Sequence, residues 1–89
     1  MVFRQWKALD IILRTEPCSL TNQEMAWCLD SGVETTRKVL QTLRRKGLVE
    51  SKFTLRDRQF HRELLLTSDG ILVHQAYPDF LREEGDYYE

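Results

Sequence analysis

The chain has 89 residues, 42% of them hydrophobic and 30% charged, with a net charge of −1 at pH 7. That length suits one domain, above the roughly 40-residue floor below which a core usually needs staples, and the composition is that of a soluble globular domain. No apolar run approaches the ~18 residues of a membrane span, and the opening MVFRQWKALD lacks the apolar stretch and small residues of a signal peptide, so none is expected. Two cysteines, Cys18 and Cys28, do not make a disulfide framework, which fits a reducing, cytoplasmic setting. Near-neutral charge by itself argues against a nucleic-acid partner, but the charge is unevenly placed. Residues 37–62 hold nine Lys/Arg against two acids, Glu50 and Asp57, whereas residues 64–89 hold Arg82 against six acids.

In chain order, residues 3–15 predict a first helix, with Trp6, Leu9, Ile12 and Leu13 at helical spacing. Pro17 stops it, because the residue before a proline avoids the α region. A short extended piece at 18–20 follows. Thr21 and Glu24 then have the spacing of a capping box, and Leu20 and Met25 that of a hydrophobic staple. The second helix runs to about Leu29, with Met25, Ala26 and Leu29 inward. Gly32, in the turn DSG, is expected to supply a positive φ. The third helix covers residues 33–46. Thr36, Val39, Leu40 and Leu43 share one face, and Glu34, Lys38, Gln41 and Arg45 lie opposite. Gly47 is its terminating glycine, and Arg44, Arg45 and Lys46 complement the negative end of the helix dipole.

The period then changes to two. Val49, Ser51, Phe53 and Leu55 alternate with Glu50, Lys52 and Thr54, the polar tip RDRQ follows, and 60–66 predict a returning strand. With Leu55 opposite Phe60, Lys52 falls opposite Glu63 as a cross-strand charge pair. Thr67 can cap a last helix over 68–76, with Ile71 and Leu72 inward, ended by Pro78. The chain divides into a domain at 1–77 and an acidic, aromatic tail at 78–89.

The stretch LTNQEMAWCLDSGVETTRKVLQTLRRKGLVES resembles the helix-turn-helix core of the winged helix-turn-helix superfamily, with Leu40, Leu43, Gly47, Leu48 and Val49 in its L-x-x-L-x-x-x-G-L-V pattern. The hairpin followed by LLLTSDG resembles the wing and last-helix entry of MarR- and PadR-type regulators. The likeness covers about 70 residues and does not fix a subfamily. Set against that resemblance, these 89 residues are expected to fall short of such regulators, without the extra helices that build their dimer and ligand pocket, which bears on dimerisation and small-molecule sensing. The resemblance implies a mainly α fold with a small antiparallel hairpin, in the order α-β-α-α-β-β-α. It also implies a third helix that enters the major groove and a wing that meets backbone or minor groove.

The residues themselves partly support that reading. A helix with one cationic face and one buried face fits a groove ~12 Å wide. Arg37, Lys38 and Gln41 can reach base edges. Thr35 and Thr36 sit near the helix start, where hydroxyls meet phosphates. Arg45 lies further along toward phosphates, and Arg56 and Arg58 occupy the wing tip. Plainer readings stand beside these. The basic C-terminal turn stabilises any helix through its dipole. Lys52 can pair with Glu63, and the tip arginines can keep a hairpin soluble. Glu34 opposes phosphate at the helix start, and can instead accept from cytosine N4 or complement the dipole.

Catalysis and metal binding are not expected. No nucleophile, base and orienting group share a motif, and there is no C-x-x-C, H-x-x-x-H or Gly-rich phosphate loop. Cys28 reads as a small core residue, His61 as exposed on a strand, and His74 as lying near a helix end. Trp6 and Trp27 read as core or interface anchors. Tyr77, Phe80, Tyr87 and Tyr88 in the tail can dock on a partner, the tail can compete with DNA for the basic face, or it can be a solubilising end. The expectation is a small cytoplasmic transcriptional regulator of a bacterium, archaeon, phage or mobile element. It would bind double-stranded DNA as a homodimer or with a larger protein partner, and need no cofactor, membrane or small-molecule ligand. Two alternatives remain open: a DNA-binding part of replication, partition or recombination machinery, and a winged helix used only for protein contacts.

Overall fold

A computed structural model describes the backbone of residues 3–84 and the side chains of residues 3–76. The elements are α1 (Phe3–Arg14), α2 (Asn22–Leu29), α3 (Val33–Arg45), β1 (Val49–Arg56), β2 (Gln59–Leu66) and α4 (Ser68–Glu84). Ala8, Leu9 and Ile12 of α1 meet Met25 and Leu29 of α2, Val39, Leu40 and Leu43 of α3, and the hairpin base in one core. The short strand expected at 18–20 is a single bridge: Cys18 and Leu64 exchange both backbone bonds, at 3.0 and 2.8 Å.

α2 starts as its sequence dictates. The Thr21 hydroxyl accepts from Glu24 N–H (3.1 Å), and the Glu24 carboxylate accepts from Thr21 N–H (3.0 Å). Its end differs from expectation. Gly32 sits at φ −72° as the N-cap of α3, and the left-handed residue is Asp30, at φ 52°. Asp30 N–H donates to Trp27 O and Ser31 N–H to Ala26 O, a Schellman pattern. Aspartate is one of the few residues with a side chain that enters this region readily. α3 ends the same way on Gly47 (φ 73°), with Gly47 N–H on Arg44 O and Leu48 N–H on Leu43 O.

Cys28 of α2 lies at the surface, against the expectation of a core cysteine, and it is Cys18, at the bridge to Leu64, that is buried. The eight-residue helix has a single buried stripe, Met25, Ala26 and Leu29. Cys28 lies roughly 100° around the helix from its centre. Trp27 is further round and is 72% exposed, so it is no core anchor.

The strands pair antiparallel in the expected register, with Lys52 opposite Glu63 and Leu55 opposite Phe60. Asp57 (φ 48°) and Arg58 (φ 65°) form the two-residue turn. Two successive left-handed residues are the signature of a type I′ turn, whose twist matches the strands.

α4 opens on a tight junction. Thr67 N–H donates to Leu48 O (3.0 Å), its hydroxyl donates to Gly47 O (2.6 Å), and the same oxygen caps α4 by accepting from Gly70 N–H (3.0 Å). A Cβ on Gly70 would lie 2.1 Å from Leu48 O, so only glycine fits. Two expectations for α4 fail. Leu72 is 62% exposed, because a helix turns ~100° per residue and Ile71 already takes the inward position. Pro78 does not end the helix, which runs to Glu84. Proline lacks the N–H that would bond the carbonyl four residues earlier. That carbonyl belongs to His74, and the Trp6 indole N–H donates to it at 3.0 Å. The His74 ring also stacks on Trp6 (5.2 Å between centroids) and bonds Asp10 (2.8 Å), fixing α4 on α1. Of the tail expected at 78–89, residues 85–89 and the side chains of Tyr77, Phe80, Tyr87 and Tyr88 lie outside the described residues.

Candidate nucleic-acid interface

α3 is held by its inner face and offers the outer one. Val39, Leu40 and Leu43 are buried, and burying such side chains contributes about 1.5–3 kcal/mol each. The opposite face carries Glu34, Lys38, Gln41 and Arg45, as the spacing requires. Lys38 and Arg45 are exposed, and among the described residues neither has an ion-pair partner, nor do Arg44 and Lys46 beyond them. Four cations against the single acid of this helix, Glu34, attract an anionic surface.

The structure separates the two threonines proposed near the helix start. Thr36 is fully buried, so it cannot meet a phosphate, and its hydroxyl has no hydrogen-bond partner among the described residues. Its place on the inner stripe, three residues before Val39 and four before Leu40, decides this. Thr35 is half-buried on the α1 flank, where it lines a shallow groove with Gln5, Lys38, Val39 and Thr42.

Arg37 is exposed but occupied. Its Nε lies 3.2 Å from both Glu34 oxygens and its Nη2 lies 2.8 Å from Oε2. Hydrogen bonding to Arg37, then its charge, hold the Glu34 carboxyl below its usual range, and the same contacts raise Arg37. At the hairpin tip, Arg58 is exposed in the turn. Arg56 is bound to Glu63 (2.6 Å), which also accepts from the Thr54 hydroxyl (2.9 Å). The Lys52–Glu63 register therefore holds while the ion pair forms with Arg56 instead.

Two features had no local signal. Arg62 donates to Asn22 Oδ1 (2.8 Å) and Leu20 O (2.9 Å), tying the hairpin to the start of α2. Burial is the main force lowering its pKa, with some help from Arg44. Its partners lie 40 and 42 residues away, beyond any spacing rule. The second feature is an exposed apolar patch, Phe53, Leu55 and Phe60, on one face of the outer hairpin.

The residues considered for chemistry are dispersed. Cys18 is in the core, Cys28 is on the outer side of α2, His61 is half-buried on β2 and His74 is bonded to Asp10. Among the described residues no group of three His, Cys, Asp or Glu could hold a metal ion, and no helix is long and apolar enough to cross a membrane.

No family model matches the chain, and no curated protein matches it. Solved structures do. MepR of Staphylococcus aureus in complex with DNA superposes with a TM-score of 0.75 at 23% identity, over 94% of this chain and 59% of that one. MepR described as a transcription regulator of the multidrug efflux pump MepA gives 0.71 at 24% identity, over 92% and 58%. FabT of Streptococcus pneumoniae in complex with DNA gives 0.71 at 25% identity, over 94% and 57%. The chain thus spans less than two thirds of the length of these neighbours. Four helices, an antiparallel hairpin between the third and fourth, and these superpositions give the chain the winged helix-turn-helix fold.

Proposed function

We propose that the chain is a transcriptional regulator that binds duplex DNA, with α3 in the major groove and the hairpin as the wing on backbone or minor groove. The observation that carries this is the outer face of α3, where Lys38 and Arg45 stand exposed and unpaired beside Gln41. MepR and FabT, which share the fold, are bound to DNA in their complexes. Gln41 suits adenine N6/N7 and Arg37 suits guanine O6/N7. Lys38 can also reach a base edge, and Arg45, Arg58 and the Thr35 hydroxyl suit phosphates. Arg56 joins them only by leaving Glu63. A single module covers about 600–1,000 Å² of protein surface, so tight specific binding calls for a homodimer on a two-fold site.

The test is binding to a random duplex by fluorescence anisotropy across a salt series. Four to six phosphate contacts per protomer give a slope of roughly −4 to −5 in log K against log salt. Lys38→Ala should weaken binding without lowering the melting temperature, since Lys38 supports no core contact. Absence of binding at ~50 mM salt would overturn the reading.

A second reading, a winged helix used for protein contacts, is favoured by the exposed Phe53, Leu55 and Phe60. Charge reversal at Arg37 and Lys38 separates the two. It abolishes DNA binding under the first and leaves partner binding intact under the second. A role in replication, partition or recombination uses the same DNA surface and differs in requiring a partner protein. A purified stable dimer favours the regulator.

A further inference from the structure

The outer face of α3 opens on an acid. Glu34 precedes Arg37 by three residues and Lys38 by four, both within reach on a helix. It takes Arg37, and the carboxylate faces the Nε/Nη2 edge of the guanidinium. Such a fork-to-fork pair fixes the plane of the guanidinium as well as its place. Both side chains are more than half exposed, 51% for Arg37 and 70% for Glu34, so the pair contributes little to stability. An ionised acid here also repels phosphates. Its cost to DNA attraction therefore needs a compensating role.

The geometry of the pair supplies one. With the Nε/Nη2 edge occupied, the Nη1 hydrogens and the second hydrogen of Nη2 remain. That edge can donate two parallel bonds to guanine O6 and N7. We infer that Glu34 is a positioning residue that presents Arg37 to one guanine in the major groove, lowering non-specific attraction while raising discrimination at a single base pair. The inference rests on the duplex-DNA reading above. Glu34 sits in the first turn of α3, and a residue that served only the helix dipole there would alter stability and no base preference.

The experiment selects a preferred site for the full chain from a random duplex pool. Affinity is then measured for every single-base variant of that site with the unaltered chain, R37A, E34A and E34Q. R37A should flatten the preference at one G·C pair that the unaltered chain favours about fivefold or more. E34A should reduce preference at the same pair and bind random duplex more tightly at low salt. E34Q, which keeps an acceptor for Arg37 without the charge, should retain part of the preference. If E34A keeps the full preference at that pair, or R37A flattens no position, the inference fails while DNA binding stands. A change confined to melting temperature assigns Glu34 to the helix dipole and also overturns it. If the unaltered chain binds no duplex at low salt, the DNA reading falls and the inference with it.

Discussion

One face of the hairpin carries Val49, Ser51, Phe53 and Leu55 on β1 with Leu66, Leu64, Arg62 and Phe60 opposite. At its base Val49, Leu64 and Leu66 are buried, yet at its tip Phe53 and Phe60 are 70% and 75% exposed. The alternation is the same in both halves. What differs is the neighbour: the base lies against α1, the Cys18 bridge and the Gly47–Leu48 junction, whereas at the tip Phe53, Leu55 and Phe60 stay largely uncovered. Alternation decides which face a side chain takes. Burial needs a second layer to cover that face.

The sharpest way to break this comparison is truncation at the base. Leu64→Ala should destabilise by about 2–5 kcal/mol, because Leu64 is 1% exposed and the site cannot collapse freely. Urea denaturation checks it. Gly70→Ala should follow, with a loss of about 1–3 kcal/mol or somewhat more, since the new Cβ meets the Leu48 carbonyl rather than a side chain that can swing away. Arg56→Ala sits between base and tip. It removes a bond to the nearly buried Glu63 but leaves Thr54 in place, so a loss of about 1 kcal/mol is expected. Phe60→Ser at the tip should change stability by about 0.5 kcal/mol or less. A large loss there would show that the outer wing packs on something in solution. An oligomeric state that changes with Phe60→Ser would identify that something as a second copy.

The same distinction runs through α3. Its inner stripe, outer face and terminating Gly47 were legible because helical period and glycine chemistry act over a few residues. The placement of Thr36 among the DNA contacts was not sustained, although its own spacing from Val39, Leu40 and Leu43 already put it on the inner side. The capping box of α2 and the strand register were legible for the same reason. Cys28 and Leu72 were assigned inward on hydrophobic character, and the narrow stripes of α2 and α4 leave them outside. Asp30, rather than Gly32, turned the chain after α2, because the position that needs a positive φ depends on where the helix stops.

By itself the sequence determined the order of the main elements, the inner stripe of α3, the hairpin register, and the cationic outer face of α3, since each follows from periodicity, capping and cross-strand pairing over short distances. Tertiary structure alone decided which faces are covered. It placed Arg62 on Leu20 and Asn22, directed Glu63 to Arg56 rather than Lys52, and set Trp6 on the carbonyl that Pro78 leaves without its helical donor. These contacts join residues brought together only when the layers pack, and no local spacing encodes them.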